Sequence, residues 1–146
     1  MRVIIQRVKR ASCIVDGYSI AHIETGMMLL VGFTHTDTVE LVDKMVQKIV
    51  RLRIFEDEQH KMNRSIQDVK GEILSISQFT LYANPYAGNR PSFVEAMRPE
   101  EANSLYHLFN EKLSLALGRT IGTGQFGADM QLEVCCDGPV TITLEF

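Results

Sequence analysis

From Val3 to Val15 the chain is rich in β-branched residues, Asp16-Gly17 is a turn pair of the hairpin kind, and Tyr18 to Ile23 follows as a second short strand. Met27 to Phe33 is apolar at both parities, the mark of a strand buried on both faces. The period then changes. Val39, Val42, Met45, Val46, Ile49 and Leu52 recur at helical spacing, and Asp37 with Glu40 has the spacing of a capping box. A helix is therefore predicted over about residues 38–53.

A third stretch of strand pattern runs from Glu72 to Tyr82, but it changes parity part-way. Leu74 and Ile76 lie on one side, whereas Phe79 and Leu81 carry the apolar side on the other. The switch falls at Ser77-Gln78 and predicts a bulge or strand end there, with successive backbone N–H groups left unpaired. Residues 83–98 form a long loop with Pro and Gly, of a length that is often functional. Pro99 then stands where a first helical residue would, Glu100 and Glu101 suit the positive end of the dipole, and Gly118 closes the pattern. Leu105, Phe109, Leu113 and Ala116 form the predicted buried stripe of this second helix, over about 99–117. Met130 to Cys136 and Val140 to Phe146 read as two last strands joined at Gly138-Pro139. The expected fold is α+β: a mixed, mostly antiparallel sheet curved toward a barrel, with two main covering helices and hairpins at both ends.

Composition narrows the class. A chain of 146 residues, 45% hydrophobic and 23% charged, suits one compact domain spanning 1–146 with an ordinary core. No run approaches the length of a membrane span, and Arg2 and Arg7 interrupt any export signal at the start. Three cysteines, two of them adjacent, suit reduced thiols and a cytoplasmic home rather than a disulfide scaffold. The net charge of −3 is unevenly spread. Residues 1–53 carry eight Lys/Arg against five Asp/Glu, so Arg2, Arg7, Lys9, Arg10, Lys44, Lys48, Arg51 and Arg53 could form a basic face toward a polyanion. The plainer reading is a solvated helix face and a charged strand edge.

Familiar side-chain machinery is missing. His22, His35, His60 and His107 are scattered, no Gly-x-Ser-x-Gly elbow occurs, and Gly122-Thr123-Gly124 does not continue into a phosphate-binding fingerprint. Cys13, Cys135 and Cys136 have no neighbour that would depress a thiol pKa. Two places remain. At Ser77-Gln78-Phe79-Thr80 the parity break could expose N–H groups as an oxyanion hole, or simply mark a half-exposed strand. Gly138-Pro139 is either a tight turn or a rigid element that recognises through its carbonyls, with a cis bond open at this stage.

These segments also resemble a known family. Ser77-Gln78-Phe79-Thr80-Leu81 and Asp137-Gly138-Pro139-Val140-Thr141 resemble the paired SQFTL and NxGPVT signatures of the D-aminoacyl-tRNA deacylases. Gln6-Arg7-Val8 with Ala11-Ser12, Gly88 to Phe93, and Thr123 to Met130 resemble further family segments in the same order. The resemblance implies a homodimeric esterase that removes D-amino acids, and glycine, from the 3′-terminal adenosine of tRNA. From the residues themselves no cofactor and no membrane contact is expected, and no ligand cluster argues for a metal. Gly138 and Pro139 of one subunit would enter the other's site and reject L side chains, braced by Arg7. Ser77, Gln78, Phe79 and Thr80 would line the pocket with N–H groups near the scissile carbonyl, and Phe126 and Met130 would stand beside it. The implied mechanism leans on the terminal 2′-hydroxyl, with Thr80 as nucleophile the alternative. Cys136 departs from the pattern, since the family's usual residue there is Asn, a stronger hydrogen-bonding group. A binding module without catalysis and a cysteine hydrolase are the other readings, set apart by turnover and by thiol alkylation.

Overall fold

The computed structural model describes residues 1–86 and 88–146; Ala87, inside the loop expected over 83–98, lies outside the described residues. The elements are β1 (Arg2–Val15), β2 (Tyr18–Ile23), β3 (Gly26–Gly32), α1 (Val39–Arg51), β4 (Phe55–Glu56), β5 (Met62–Arg64), β6 (Glu72–Ser77), a 3-10 turn (Phe79–Tyr82), α2 (Pro99–Leu117), β7 (Gly122–Thr123) and β8 (Gln131–Glu145). β1 and β2 form the predicted hairpin, and Asp16 and Gly17 both take positive φ at its turn, as the strand twist favours.

β1 organises the sheet. One edge pairs antiparallel with β3 near its start and with β2 near its end, while the other carries β8 along almost its whole length. β3 pairs parallel with β6, and β6 parallel with β7, giving a mixed six-stranded sheet that curls toward a barrel. Its faces serve two cores. Val3, Ile5, Met27, Leu29, Val31 and Ile73 face the helices. Val8, Ala11, Cys13, Val15, Met28, Leu74 and Ile76 fill the inside of the curl. β3 and β6 thus bury side chains at both parities, which explains the unbroken apolar run at Met27–Phe33.

The cap of α1 falls one residue later than predicted. Thr38, not Asp37, caps it by accepting from Leu41 N–H, because the Asp37 carboxylate is taken by the Met1 ammonium and by Thr34 N–H. Val42, Met45, Val46, Ile49 and Val50 are buried, each contributing about 1.5–3 kcal/mol, whereas Val39 at the helix start is exposed. α2 starts at Pro99 and ends at Gly118 in the left-handed conformation, as predicted. Its buried stripe is Ala102, Tyr106, Phe109, Asn110, Leu113 and Leu117, so Leu105 and Ala116 lie at the margin rather than the centre.

Two corrections concern the sheet. The strand predicted over 72–82 stops at Ser77, and the parity change marks the passage into the 3-10 turn. The turn crosses close to β3, where Gly32 makes room: a Cβ there would stand 2.9 Å from the Gln78 carbonyl oxygen and 3.0 Å from Leu81 Cβ. The second correction is larger. Residues 131–145 are one continuous strand with no C-terminal hairpin, because both expected strands pair with the same partner, β1. Gly138-Pro139 is an interruption in that strand. Thr141 faces Gln6 and Cys136 faces Val8, so the intervening residues of β8 bulge out opposite Arg7 alone.

Candidate active site

The carboxyl ends of the parallel strands β3 and β6 open into a cleft of about 750 Å³. Val31 and Phe33 come from the end of β3, Ile76 and Ser77 from β6, and Gln78 and Phe79 from the turn that follows. The far wall is made by Phe93, Met97 and Ala102 before and within α2, and by Phe126, Met130 and Leu132 leading into β8. The interior is mainly apolar. Its lining carries two formal charges, Arg98 and Asp129, together with the His35 imidazole, whose Nε2 is 2.9 Å from the Val94 carbonyl oxygen.

The local backbone explains the chemistry available at Ser77–Thr80. Gln78 N–H donates to Val31 O at 2.7 Å, the last bond of the strand pairing. The ladder of the 3-10 turn then begins with Leu81 N–H on Gln78 O, which leaves the N–H groups of Phe79 and Thr80 outside both ladders. The Gln78 side-chain amide donates to the Thr80 hydroxyl, so Thr80 is held by a donor and no base among the described residues stands on it. Phe79 is largely exposed and meets Phe93 edge-on, ring centroids 5.1 Å apart, at the rim. Tyr82 closes the turn beneath the Arg2 guanidinium, and burial pushes its phenol up to about 12.

Of the expected site residues, Ser77, Gln78, Phe79, Phe126 and Met130 line this cleft, and Thr80 lies beside it. Gly138, Pro139 and Arg7 do not. Arg7 is buried at 4% exposure; its Nε donates to the Asp137 carbonyl oxygen at 3.2 Å and its Nη1 to the Ile54 carbonyl oxygen at 2.6 Å. It thereby ties the base of the β8 bulge to the segment after α1. The Gly138–Pro139 bond is cis, and Gly138 has φ +117° with Arg7 Nη2 3.2 Å from where a Cβ would stand. Only glycine takes that backbone without strain. Arg7 faces Met27, whereas Ser77 faces Val31, four residues along the strand or about 13 Å. Within one chain the two elements stand apart.

Of the eight residues that could form a basic face, Arg7 is buried, Arg2 pairs with Glu145 and Arg53 hydrogen-bonds Asn63, while Lys9, Arg10, Lys44, Lys48 and Arg51 are exposed. The thiols are also away from the cleft lining, and burial pushes Cys13 up, away from a reactive thiolate. Gly122-Thr123 is a short edge strand on β6. Sequence patterns did not point to Val31, Phe33, Met97, Ala102 or Leu132 as cleft residues. The signal available was the parallel pairing, since ligand sites gather at the carboxyl ends of parallel strands.

Comparison with known proteins covers nearly the whole chain. The family model for D-Tyr-tRNA(Tyr) deacylase matches residues 4–145. A D-aminoacyl-tRNA deacylase of Exiguobacterium sibiricum is 53% identical over 145 residues, covering 99% of each chain. One from Chloroherpeton thalassium is 52% identical, covering 99% of this chain and 95% of the relative. Among solved structures, the c-Myc DNA unwinding element binding protein superposes with a TM-score of 0.95 at 43% identity, covering 100% of this chain and 99% of that one. A probable eukaryotic D-amino acid tRNA deacylase superposes at 0.85 with 17% identity, over 98% of this chain and 97% of that one, and so shares the fold.

Proposed function

The chain belongs to the D-Tyr-tRNA(Tyr) deacylase family, an enzyme family that hydrolyses D-aminoacyl-tRNA, and on that premise we propose that the cleft at Ser77–Phe79 is where the ester is cut. The observation that carries this reading is the break at Ser77-Gln78, which frees the Phe79 and Thr80 N–H groups beside an open apolar cleft. Such donors suit an oxyanion, because they are fixed before charge develops. Water attacks the ester carbonyl carbon, the carbonyl oxygen becomes the oxyanion, and the carbon–oxygen bond to the ribose breaks as a proton reaches the ribose oxygen. With no side-chain base on Thr80, the terminal 2′-hydroxyl of the RNA orients and activates the water. The protein supplies position and charge stabilisation.

Gly138 and Pro139 act in trans. The bulge in β8 exposes Gly138 and Pro139 outside the lining of its own chain's cleft, which supports a homodimer in which each bulge enters the partner's site. Rigid backbone carbonyls there bind the substrate α-amino group and leave no room for an L side chain, while glycine, lacking one, is accepted. Arg7 fixes the bulge from behind. No helix among the described residues is long and apolar enough to cross a membrane, and an enzyme of aminoacyl-tRNA belongs in the cytoplasm.

The test is amino acid release from D-Tyr-tRNA and L-Tyr-tRNA side by side with purified protein. Rapid loss of the D-ester alone is expected. Loss of both would remove the selector role from Gly138-Pro139, and tight tRNA binding without release would overturn catalysis in favour of a binding module.

A further inference from the structure

Arg98 is the sole permanent cation in the lining of the cleft, and its guanidinium makes no hydrogen bond or ion pair among the described residues. It lies at the exposed rim, between buried Met97 and the first residue of α2, where neighbouring backbone is fixed. Met97 N–H donates to the Phe33 carbonyl oxygen at 3.0 Å, and Ala102 N–H to the Arg98 carbonyl oxygen at 2.9 Å, so the Arg98 backbone is pinned from both sides. Arg2, at this end of the sheet, is engaged with Glu145 and the Leu81 carbonyl. An unpaired guanidinium on a fixed backbone at the mouth of an apolar cleft is fitted to an anionic group that stays outside while a group without negative charge enters. An aminoacyl ester of adenosine in an RNA chain has that form, since neither the aminoacyl group nor the base carries an anion and the 5′-phosphate lies one ribose away.

We propose that Arg98 is a positioning residue that binds the 5′-phosphate of the terminal adenosine through a paired N–H contact, so that the cleft distinguishes an RNA-borne ester from a free nucleoside ester. This rests on the deacylase reading of the cleft. Asp129, the other charge in the lining, repels phosphate and favours the Arg98 side of the rim. The contact is made equally in ground and transition states, so it acts on KM and leaves kcat alone.

The experiment compares D-Tyr-tRNA with the D-tyrosyl ester of adenosine, which lacks the phosphate, for the unchanged protein, Arg98→Gln and Arg98→Lys. The ratio of kcat/KM for tRNA over nucleoside is expected to fall about tenfold in Arg98→Gln, through KM, as a charge-assisted contact at an exposed rim is lost. Arg98→Lys recovers part of the ratio, because it keeps the charge without the fork. The slope of log affinity for tRNA against log salt should also lessen by about 0.7, the share of one phosphate on a single strand. An unchanged ratio, or a fall in kcat alike on both substrates, would overturn the assignment. Should the unchanged protein cleave neither ester, the deacylase reading itself fails, which is a separate result.

Discussion

Thr80 shows how one side chain separates two mechanisms. Its hydroxyl accepts a hydrogen bond from the Gln78 amide, and an accepted bond leaves the oxygen less basic rather than more nucleophilic. If its N–H and not its hydroxyl matters, Thr80→Ala keeps deacylation within about tenfold, because truncating the side chain leaves the main-chain donor in place. Single-turnover release from D-Tyr-tRNA measures this, and a loss of three orders of magnitude or more would make the hydroxyl the nucleophile. Cys136 marks a different limit. It is exposed, two residues before Gly138, and the structure gives it no hydrogen-bond partner among the described residues that would replace an asparagine's role.

At the level of elements, the 3-10 turn is the feature on which the cleft depends. Three anchors hold it: the Gln78 N–H bond to β3, the space left by Gly32, and Tyr82 buried under Arg2. Tyr82 makes this element sensitive to alkali. Its folded pKa of about 12 lies above the ordinary phenol value, so its contribution to stability is complete below about pH 10 and is lost as pH rises toward 12, where the unfolded chain ionises first. Tyr106, also raised by burial, adds in the same direction. Urea midpoints at pH 7 and pH 11 should therefore fall for the unchanged protein and fall less for Tyr82→Phe, which keeps the ring under Arg2. An equal fall in both proteins would remove Tyr82 from the account. The same level explains the bulge in β8. It exists because Arg7 occupies one position opposite several residues and satisfies the carbonyl at its base, a long-range pairing that strand propensity alone does not encode.

For the whole molecule, the separation of Gly138-Pro139 from the cleft makes the assembly decisive. Sedimentation equilibrium should give twice the 16.5 kDa chain mass, and a variant held monomeric should lose D-ester hydrolysis and chiral rejection together. A fully active monomer would show that the bulge has another task. The sequence by itself determined much. The Asp16-Gly17 hairpin, the strand buried on both faces, both helices, the strand end at Ser77-Gln78 and the family signatures are all written in local order, because periodicity, turn chemistry and caps act over a few residues. Tertiary structure decided the rest. It gave the α1 cap to Thr38 by engaging Asp37 elsewhere, joined two expected strands into β8 by laying both on β1, and shifted the buried face of α2 to Tyr106 and Asn110. It also gathered Val31, Met97, Ala102 and Leu132 into one cleft with Ser77 and set the Gly138 bulge apart from it. Those outcomes depend on which distant groups compete for one carboxylate, one strand edge or one buried face, and a linear pattern carries no record of that competition.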